Sequence, residues 1–556
     1  MVWPVRCLLL LLTLPILLGT AASVEPLFVT SLEGSFFDST LWQTPGILRS
    51  ALSSLALGLL TPALALTSVL LFLSATQGSR ASRIISSLSA PVLALPHAAA
   101  AFGFALLVAP TGVLSRLIAV PMGWELPPDY LFLNHPSGIA LLTGLVLKEA
   151  PFILLVSLAA LPSLDAPRRV ALSRSLGYRP MTGWFFTVLP ALYPLIRLPL
   201  FAVLVFSSST VDVALILGPS LPPTLSVRLL EWFVEPTLES RQLAAAAGCL
   251  QVVISLAAIG LWIGGEKVVC WLYRRRVHRG PACDGPSLVA QLTRKLAVSL
   301  FPLGLTVTGA GMAALALSSV ARGWRYPALL PSEWTLGSWH AAFSGFSIPL
   351  LNTVLIATLS VAFAVGIVLL VLESDARSSS NNPLATWLLY LPLLIPQVVF
   401  LSGLTAVAER AGLSPSLLLV TAGHCLFVLP YIYLTLRSAY SGMDKRWLRL
   451  AATLGASPLQ QFLRVRLPLL SSPIITACML GLTISLSLYL PTQLLGAGRV
   501  PTLTTEAVAL VSAGSRGAIG TWALLQSALP TLCFVVALVL PRLLWSRRKG
   551  MLEGRR

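Results

Sequence analysis

The chain has 556 residues, of which 56% are hydrophobic and 10% charged, and its mean hydropathy is +0.85. A water-soluble chain carries about 25% charged residues, so this composition excludes a soluble globular protein. The formal net charge of +18 fits either nucleic-acid binding or orientation in a membrane, and the positions of the basic residues distinguish these two interpretations.

Apolar runs of about twenty residues recur along the whole chain, and each is long enough to cross a bilayer as a helix. Each run is continuously apolar instead of alternating, which favours helices over a β-barrel. We predict an all-α polytopic membrane protein with about twelve transmembrane helices. They lie near residues 5–23, 50–74, 89–110, 137–161, 185–207, 247–272, 296–319, 350–372, 386–407, 415–436, 470–490 and 519–541.

The first run could be mistaken for a cleaved secretory signal, because small residues at 19–23 follow its leucine-rich stretch. A comparable run at 296–319 begins the second half of the chain. This symmetry favours a first helix that is retained.

The basic residues fall in alternate loops and at the end of the chain. They follow the fourth span at 168–169, the sixth at 274–276 and the tenth at 445–446, whereas residues 24–47 carry acidic residues and no base. By the positive-inside rule the basic loops face the cytoplasm, and twelve spans place both termini there. We therefore expect a multi-pass membrane protein, with the lipid bilayer and not nucleic acid as its surroundings.

Histidine, cysteine and acidic residues are too scattered to suggest an active site. Five histidines lie from His97 to His424, and the seven cysteines show no metal-ligand spacing. We expect no catalytic residues, no metal site and no disulfide framework. A membrane-embedded enzyme would need clustered His, Asp or Glu and is disfavoured.

A hydrophobic stretch of about fifty residues occurs twice, 278 positions apart and without a gap. An even number of spans per copy predicts two parallel six-helix repeats. We place the first half at 1–272, a basic cytoplasmic linker at 273–295 and the second half at 296–556. The shared residues of the cytoplasmic loops are Gly177, Pro180, Leu189 and Pro190 in the first copy and Gly455, Pro458, Leu467 and Pro468 in the second.

The loop between the fourth and fifth span of each half predicts two short helices joined by a tight turn. In the second half, Gly455 can take the left-handed conformation that ends a helix. Ser457 then provides a helix N-cap and Pro458 the first helical position. The second short helix runs to Leu467–Pro468, where the membrane span begins, and the first half repeats this arrangement.

This loop resembles the EAA loop of permeases in binding-protein-dependent ABC importers, which reads EAA, three residues, Gly, nine residues and I-x-L-P. Glycine, leucine and proline match in both copies, and Val465 stands at the isoleucine position. Arg449 and Ala171 replace the glutamate, and Thr187 replaces the first copy's isoleucine. Two such loops on one chain resemble the fused double permeases of the thiamine and ferric-iron type, and the YnjC-like group.

The resemblance implies a type I importer permease fold in the bacterial cell inner membrane and a pore for a small solute. Each loop would form a coupling helix that docks in a groove of an ATPase subunit, so two copies of that subunit are implied. A periplasmic substrate-binding protein would deliver the solute. The chain contains no G-x-x-x-x-G-K-[ST] sequence, so ATP would be bound and hydrolysed by the partner and no cofactor is expected here.

Four polar residues are possible pathway or gate residues. Lys148 and Glu149 fall in the middle of the fourth span, where an unpaired charge costs several kcal/mol. The alternative is a span that is displaced, or broken at Pro151, so that both charges lie near an interface. His424 lies at a similar depth in the second half, where a helix-packing role is the alternative, and Glu506 lies in an outer loop.

A secondary transporter of the major-facilitator type is the competing function, because it also has twelve spans in two parallel repeats. Its usual G-x-x-x-D-R-x-G-R-R loop is absent between the second and third spans, where residues 76–83 read TQGSRASR.

Overall fold

The computed structural model describes residues 13–25, 40–77, 79–130, 132–278, 288–378, 391–444, 446–511 and 514–544. Within these ranges nine helices are long and apolar enough to cross a membrane, and one bent pair makes a tenth. The predicted first and ninth spans lie partly outside the described residues. The all-α polytopic fold is confirmed.

The first half contains thirteen described α-helices. They are α1 (Thr13–Glu25), α2 (Thr40–Gln43), α3 (Ile47–Thr76), α4 (Arg80–Ala94), α5 (His97–Val108), α6 (Val113–Met122), α7 (Ile139–Ala160), α8 (Ala166–Ser175), α9 (Pro180–Thr187), α10 (Leu189–Ser209), α11 (Asp212–Leu217), α12 (Leu225–Val234) and α13 (Leu238–His278). A 3₁₀ turn at Leu161–Leu164 separates α7 from α8.

The second half begins with α14 (Leu288–Ser319) and a small antiparallel hairpin. Strand β1 (Ala321–Arg322) pairs with β2 (Glu333–Trp334) so that Ala321 faces Trp334. The helices that follow are α15 (Gly337–Gly345), α16 (Ser347–Ser378), α17 (Gln397–Arg410), α18 (Leu417–Gly442), α19 (Arg446–Thr453), α20 (Pro458–Gln460), α21 (Leu467–Leu469), α22 (Ser471–Ser487), α23 (Leu490–Gly496), α24 (Leu503–Ala509) and α25 (Arg516–Leu544).

The repeat is visible in the helix boundaries. Helices α7, α12 and α13 begin at Ile139, Leu225 and Leu238, and α18, α24 and α25 begin 278 residues later in each case. The predicted linker 273–295 covers the end of α13, residues outside the described ranges, and the start of α14. Its role as the boundary between the halves stays a prediction.

The predicted third span at 89–110 is wrong as a single helix. The chain leaves helical geometry at Leu95, and Pro96 takes an extended conformation before α5 begins at His97. The physical reason is that proline lacks an amide donor and keeps the residue before it out of the α region.

Each half has a core helix surrounded by its own apolar partners. Helix α3 packs against α7 and α10, and α16 packs against α18 and α22. One cluster of buried apolar side chains joins the halves, since it contains Leu145 and Leu217 together with Phe400 and Leu495. The two repeats therefore share a common interior.

The first helix of each half packs on the other half. Helix α14 lies against α5, and Gly103 meets Gly311 where they cross. Helix α1 lies against α17, and Gly19 meets Gly403. Small residues allow such close approach of backbones, which is how helices associate within a membrane.

Arg116 joins the halves at the membrane face opposite α8 and α19. Its guanidinium donates to the carbonyl oxygens of Thr111 at 3.0 Å, Arg325 at 2.8 Å, Ala328 at 2.6 Å and Trp324 at 3.2 Å. The side chain is only 1% exposed. A buried arginine satisfied by four carbonyls fixes the loop after β1 to the first half.

Candidate functional site

Two helix–turn–helix loops, which we call the coupling loops, lie at residues 166–187 and 446–469. Gly177 and Gly455 have φ of 85° and 81°, so both take the left-handed conformation expected of them. Pro180 and Pro458 each begin the second helix. The predicted local structure of both turns is confirmed.

The second loop is capped more completely than the first. The Ser457 hydroxyl accepts a hydrogen bond from the backbone amide of Gln460 at 3.3 Å. The side-chain oxygen of Gln460 accepts one from the backbone amide of Ser457 at 2.9 Å. This reciprocal capping box satisfies two amides at the start of α20. In the first loop Arg179 takes the N-cap position and makes no side-chain cap.

The predicted start of the membrane span is confirmed in the first half and wrong in the second. Leu189 begins α10 with Pro190 in its first turn. Leu467 and Pro468 instead continue the short helical segment, which passes through a π-helical turn at Gln461–Arg466. The span begins at Ser471, after a bend of 73°. Leu470, with φ of −93° and ψ of 4°, interrupts the helix there.

Large apolar side chains are exposed on both coupling loops. Leu454 is 80% exposed and Leu176 is 63% exposed. The others are Leu172 in the first loop and Trp447, Leu450, Leu459 and Leu463 in the second. Such exposed apolar groups among basic residues are typical of a surface that binds another protein.

Each coupling loop is held by the end of the core helix of its own half. Gln77, which follows α3, donates from its amide nitrogen to the carbonyl oxygen of Pro180 at 2.9 Å. Arg377, in the last turn of α16, donates to the carbonyl oxygen of Pro458 at 3.0 Å. Sequence reasoning missed both residues, which lie at the ends of the corresponding helices α3 and α16.

Lys148 and Glu149 hold the two ends of the helix break between α4 and α5. The Lys148 ammonium donates to the carbonyl oxygens of Val92 at 3.0 Å and Leu93 at 2.9 Å, at the end of α4. The Glu149 carboxylate lies 3.0 Å from the ring nitrogen of His97, the first residue of α5. A cation at a helix C-terminus and an anion at a helix N-terminus both interact favourably with the helix dipole.

The structure contradicts one form of the alternative. Helix α7 continues through Pro151 and both side chains are buried within the protein, so a break of the span at Pro151 is wrong. A displaced span stays a prediction. A role of either residue in the pathway stays a prediction.

The second half has the same helix break without the charges. Pro396 precedes α17 as Pro96 precedes α5. The repeat places Leu426 and Phe427 where Lys148 and Glu149 stand, and the ring of Phe427 stacks on Phe400 at 5.4 Å. The break is therefore charged in one half and apolar in the other.

His424 is fully occupied by hydroxyl groups of its own half. Its Nδ1 lies 2.9 Å from Ser485 and its Nε2 lies 2.8 Å from Thr492, and the residue is 2% exposed. This environment supports the helix-packing alternative. Glu506 lies in the first turn of α24 and is partly exposed, at the membrane face opposite the coupling loops. The structure tests neither residue as a gate.

Within the described residues no group of three or more His, Cys, Asp or Glu side chains is arranged to hold a metal ion. The absence of a metal site from the whole chain stays a prediction.

Known proteins resemble this chain along most of its length. Residues 376–545 match the family described as the inner membrane component of binding-protein-dependent transport systems. The inner membrane ABC transporter permease protein YnjC of Escherichia coli is 30% identical over 463 residues, which cover 83% of this chain and 81% of that protein. A probable ABC transporter permease, y4fN of Sinorhizobium fredii, is 24% identical over 67% of this chain and 65% of its own length. The spermidine/putrescine permease PotB of Haemophilus influenzae is 38% identical over 81 residues, or 15% of this chain and 28% of PotB.

Proposed function

Because the chain belongs to the family of inner membrane components of binding-protein-dependent transport systems, we propose that it forms the whole pore of an ATP-driven importer. One polypeptide supplies both halves of the pore, and a small solute passes between them. The chain itself is not an enzyme, since separate ATPase subunits bind and hydrolyse the ATP.

The observation that carries this proposal is the pair of matching coupling loops. Each has a left-handed glycine, exposed leucines and a hydrogen bond to its own core helix. Two copies of an ATPase subunit would each receive one loop. Movement of a loop would then be passed to α3 or α16 and change the pore between its two openings.

The opposite membrane face receives a periplasmic substrate-binding protein in this proposal. The basic residues around the coupling loops support this sidedness, because the positive-inside rule favours the cytoplasm for these loops and for both termini. The periplasmic face then comprises α6, the β1–β2 hairpin and the segment around Glu506.

Co-purification tests the proposal. The tagged full-length chain is expressed with the ATPase encoded beside it, and the complex is assayed for bound ATPase and for ATP-dependent solute uptake in vesicles. We expect the ATPase to co-purify, and to be lost when Gly177 and Gly455 are both changed to Val. Solute uptake that continues without any ATPase would contradict the proposal and support a secondary transporter.

A further inference from the structure

We propose that Glu373 transmits the movement of the second coupling loop to core helix α16, and that the first half has no equivalent connection. This inference rests on the proposed function, because it concerns how a coupling loop acts on the pore. Glu373 is a positioning residue in this role, since it touches neither solute nor nucleotide.

One carboxylate contacts a residue that precedes the second coupling loop and a residue near the end of that loop. Oε2 of Glu373 accepts the hydroxyl of Tyr440 at 2.6 Å, and Tyr440 lies in the last two turns of α18, before the loop begins. The same oxygen accepts a hydrogen bond from the guanidinium of Arg466, at the end of the π-helical turn. The entry and the exit of the second coupling loop are thus bound to the same point on α16.

Glu373 is also linked to the turn of the loop. Its Oε1 accepts a hydrogen bond of 2.6 Å from Nε of Arg377, which lies one helical turn further along α16. Arg377 donates from its other end to the carbonyl oxygen of Pro458 at 3.0 Å. A displacement of α20 therefore reaches Glu373 through a single side chain.

Burial makes these contacts strong. The side chains of Glu373 and Arg466 are 14% and 8% exposed, so water screens their attraction little. The Arg466 guanidinium also lies 5.0 Å from the centre of the Tyr440 ring. Its Nε is buried without a hydrogen-bond partner, so the charge depends on Glu373. Removal of one member of such a pair leaves an uncompensated charge.

The first half has uncharged residues at the matching places. Two equivalent hydrogen bonds, from the amide of Leu225 to Ser54 of α3 and from the amide of Leu503 to Thr353 of α16, give the two core helices a spacing of 299 residues.

This spacing aligns Ser74 with Glu373, and the loop repeat aligns Val188 with Arg466. Ser74 and Val188 are both buried. Among the described residues, the first half has the neutral hydrogen bond from Gln77 to Pro180 in place of the charged network. We infer that the second loop is connected to its core helix more rigidly than the first.

Glu373→Gln in the full-length chain tests the connection. We expect the ATPase still to co-purify, because the exposed surface of the loop is unchanged. Hydrogen exchange of residues 446–466 should increase about tenfold relative to the wild type, as for a segment released from its anchor. ATP-dependent uptake should fall about tenfold, by the loss of a charge-assisted contact.

The matched control is Glu409→Gln, which removes a carboxylate that pairs with Arg241 at the other membrane face. It should change neither the exchange of the loop nor uptake. Unchanged exchange and unchanged uptake in Glu373→Gln would overturn the inference.

A double variant keeps the test decisive if Glu373→Gln does not fold. Glu373→Ser combined with Arg466→Val reproduces the uncharged pair of the first half and leaves no buried charge unpaired. It should fold, bind the ATPase and still show faster exchange and reduced uptake. A wild-type chain that binds no ATPase would contradict the proposed function, whereas the exchange measurement decides the role of Glu373 independently.

Discussion

Gly103 of α5 and Gly311 of α14 pack backbone to backbone. A Cβ added to Gly311 would lie 2.8 Å from the carbonyl carbon of Gly103, and one added to Gly103 would lie 2.9 Å from that of Gly311. Neither backbone can move aside without moving its helix. This crossing therefore fixes the distance between the first half and the leading helix of the second.

The substitution Gly311→Ala should lower the free energy of unfolding by about 1–3 kcal/mol, because the methyl group forces α14 away from α5. Gly309→Ala on the same helix meets nothing within 4 Å and should stabilise by up to about 1 kcal/mol through helix propensity. Thermal unfolding of both variants in detergent measures the difference. Equal effects of the two substitutions would show that the crossing is not tight.

Gly455→Ala should reduce coupling and leave the fold intact. Open space surrounds Gly455, so the cost is about 1–2 kcal/mol of local strain at its positive φ. We expect thermal stability close to that of the wild type and a severalfold loss of ATP hydrolysis stimulated by the chain. Gly442→Ala, which also meets open space but lies within α18, is the control and should couple normally.

Lys148→Met should destabilise the chain by about 2–4 kcal/mol, because two carbonyls at the end of α4 lose their donor and Glu149 loses a neighbouring cation. Lys267→Met, on an exposed part of α13, should change stability by no more than about 0.5 kcal/mol. Denaturation of both variants in the same detergent provides the comparison. A stable Lys148→Met chain with altered uptake would instead favour a pathway role.

His424→Leu distinguishes packing from gating. If His424 only packs, the variant loses about 1–3 kcal/mol of stability, since Ser485 and Thr492 lose their shared partner, and the KM for the solute stays unchanged. Thr421→Val, one turn earlier on α18, removes a hydroxyl that bonds only within its helix and should be nearly neutral. A changed KM at unchanged stability would assign His424 to the pathway.

The parts of the structure that depend on neighbouring residues could be predicted from the sequence. The left-handed Gly177 and Gly455 and the cap at Ser457 follow from local backbone chemistry. The 278-residue repeat also agrees with the spacing between matching helices of the two halves, because the positions of these helices follow the lengths of the apolar runs. Prediction of a single third span failed because hydropathy continues through Pro96 while the helix does not.

The contacts that matter most for the site depend on residues far apart in the chain. Nothing near Glu373 in sequence indicates that Tyr440 and Arg466 would meet it, and the partners of Lys148 lie on a different helix. Comparison of the halves would have provided one signal. Charged residues that occur in one copy and are replaced by uncharged residues in the other mark both networks.

The packing of α1 on α17 has a consequence for biosynthesis. The ribosome makes α1 first, but its binding surface around Gly403 and its ion-pair partner Arg410 are synthesised almost four hundred residues later. Until then α1 lies in the lipid without its native neighbour. The two halves consequently cannot mature one after the other, and the first becomes complete only when the second has been synthesised as far as α17.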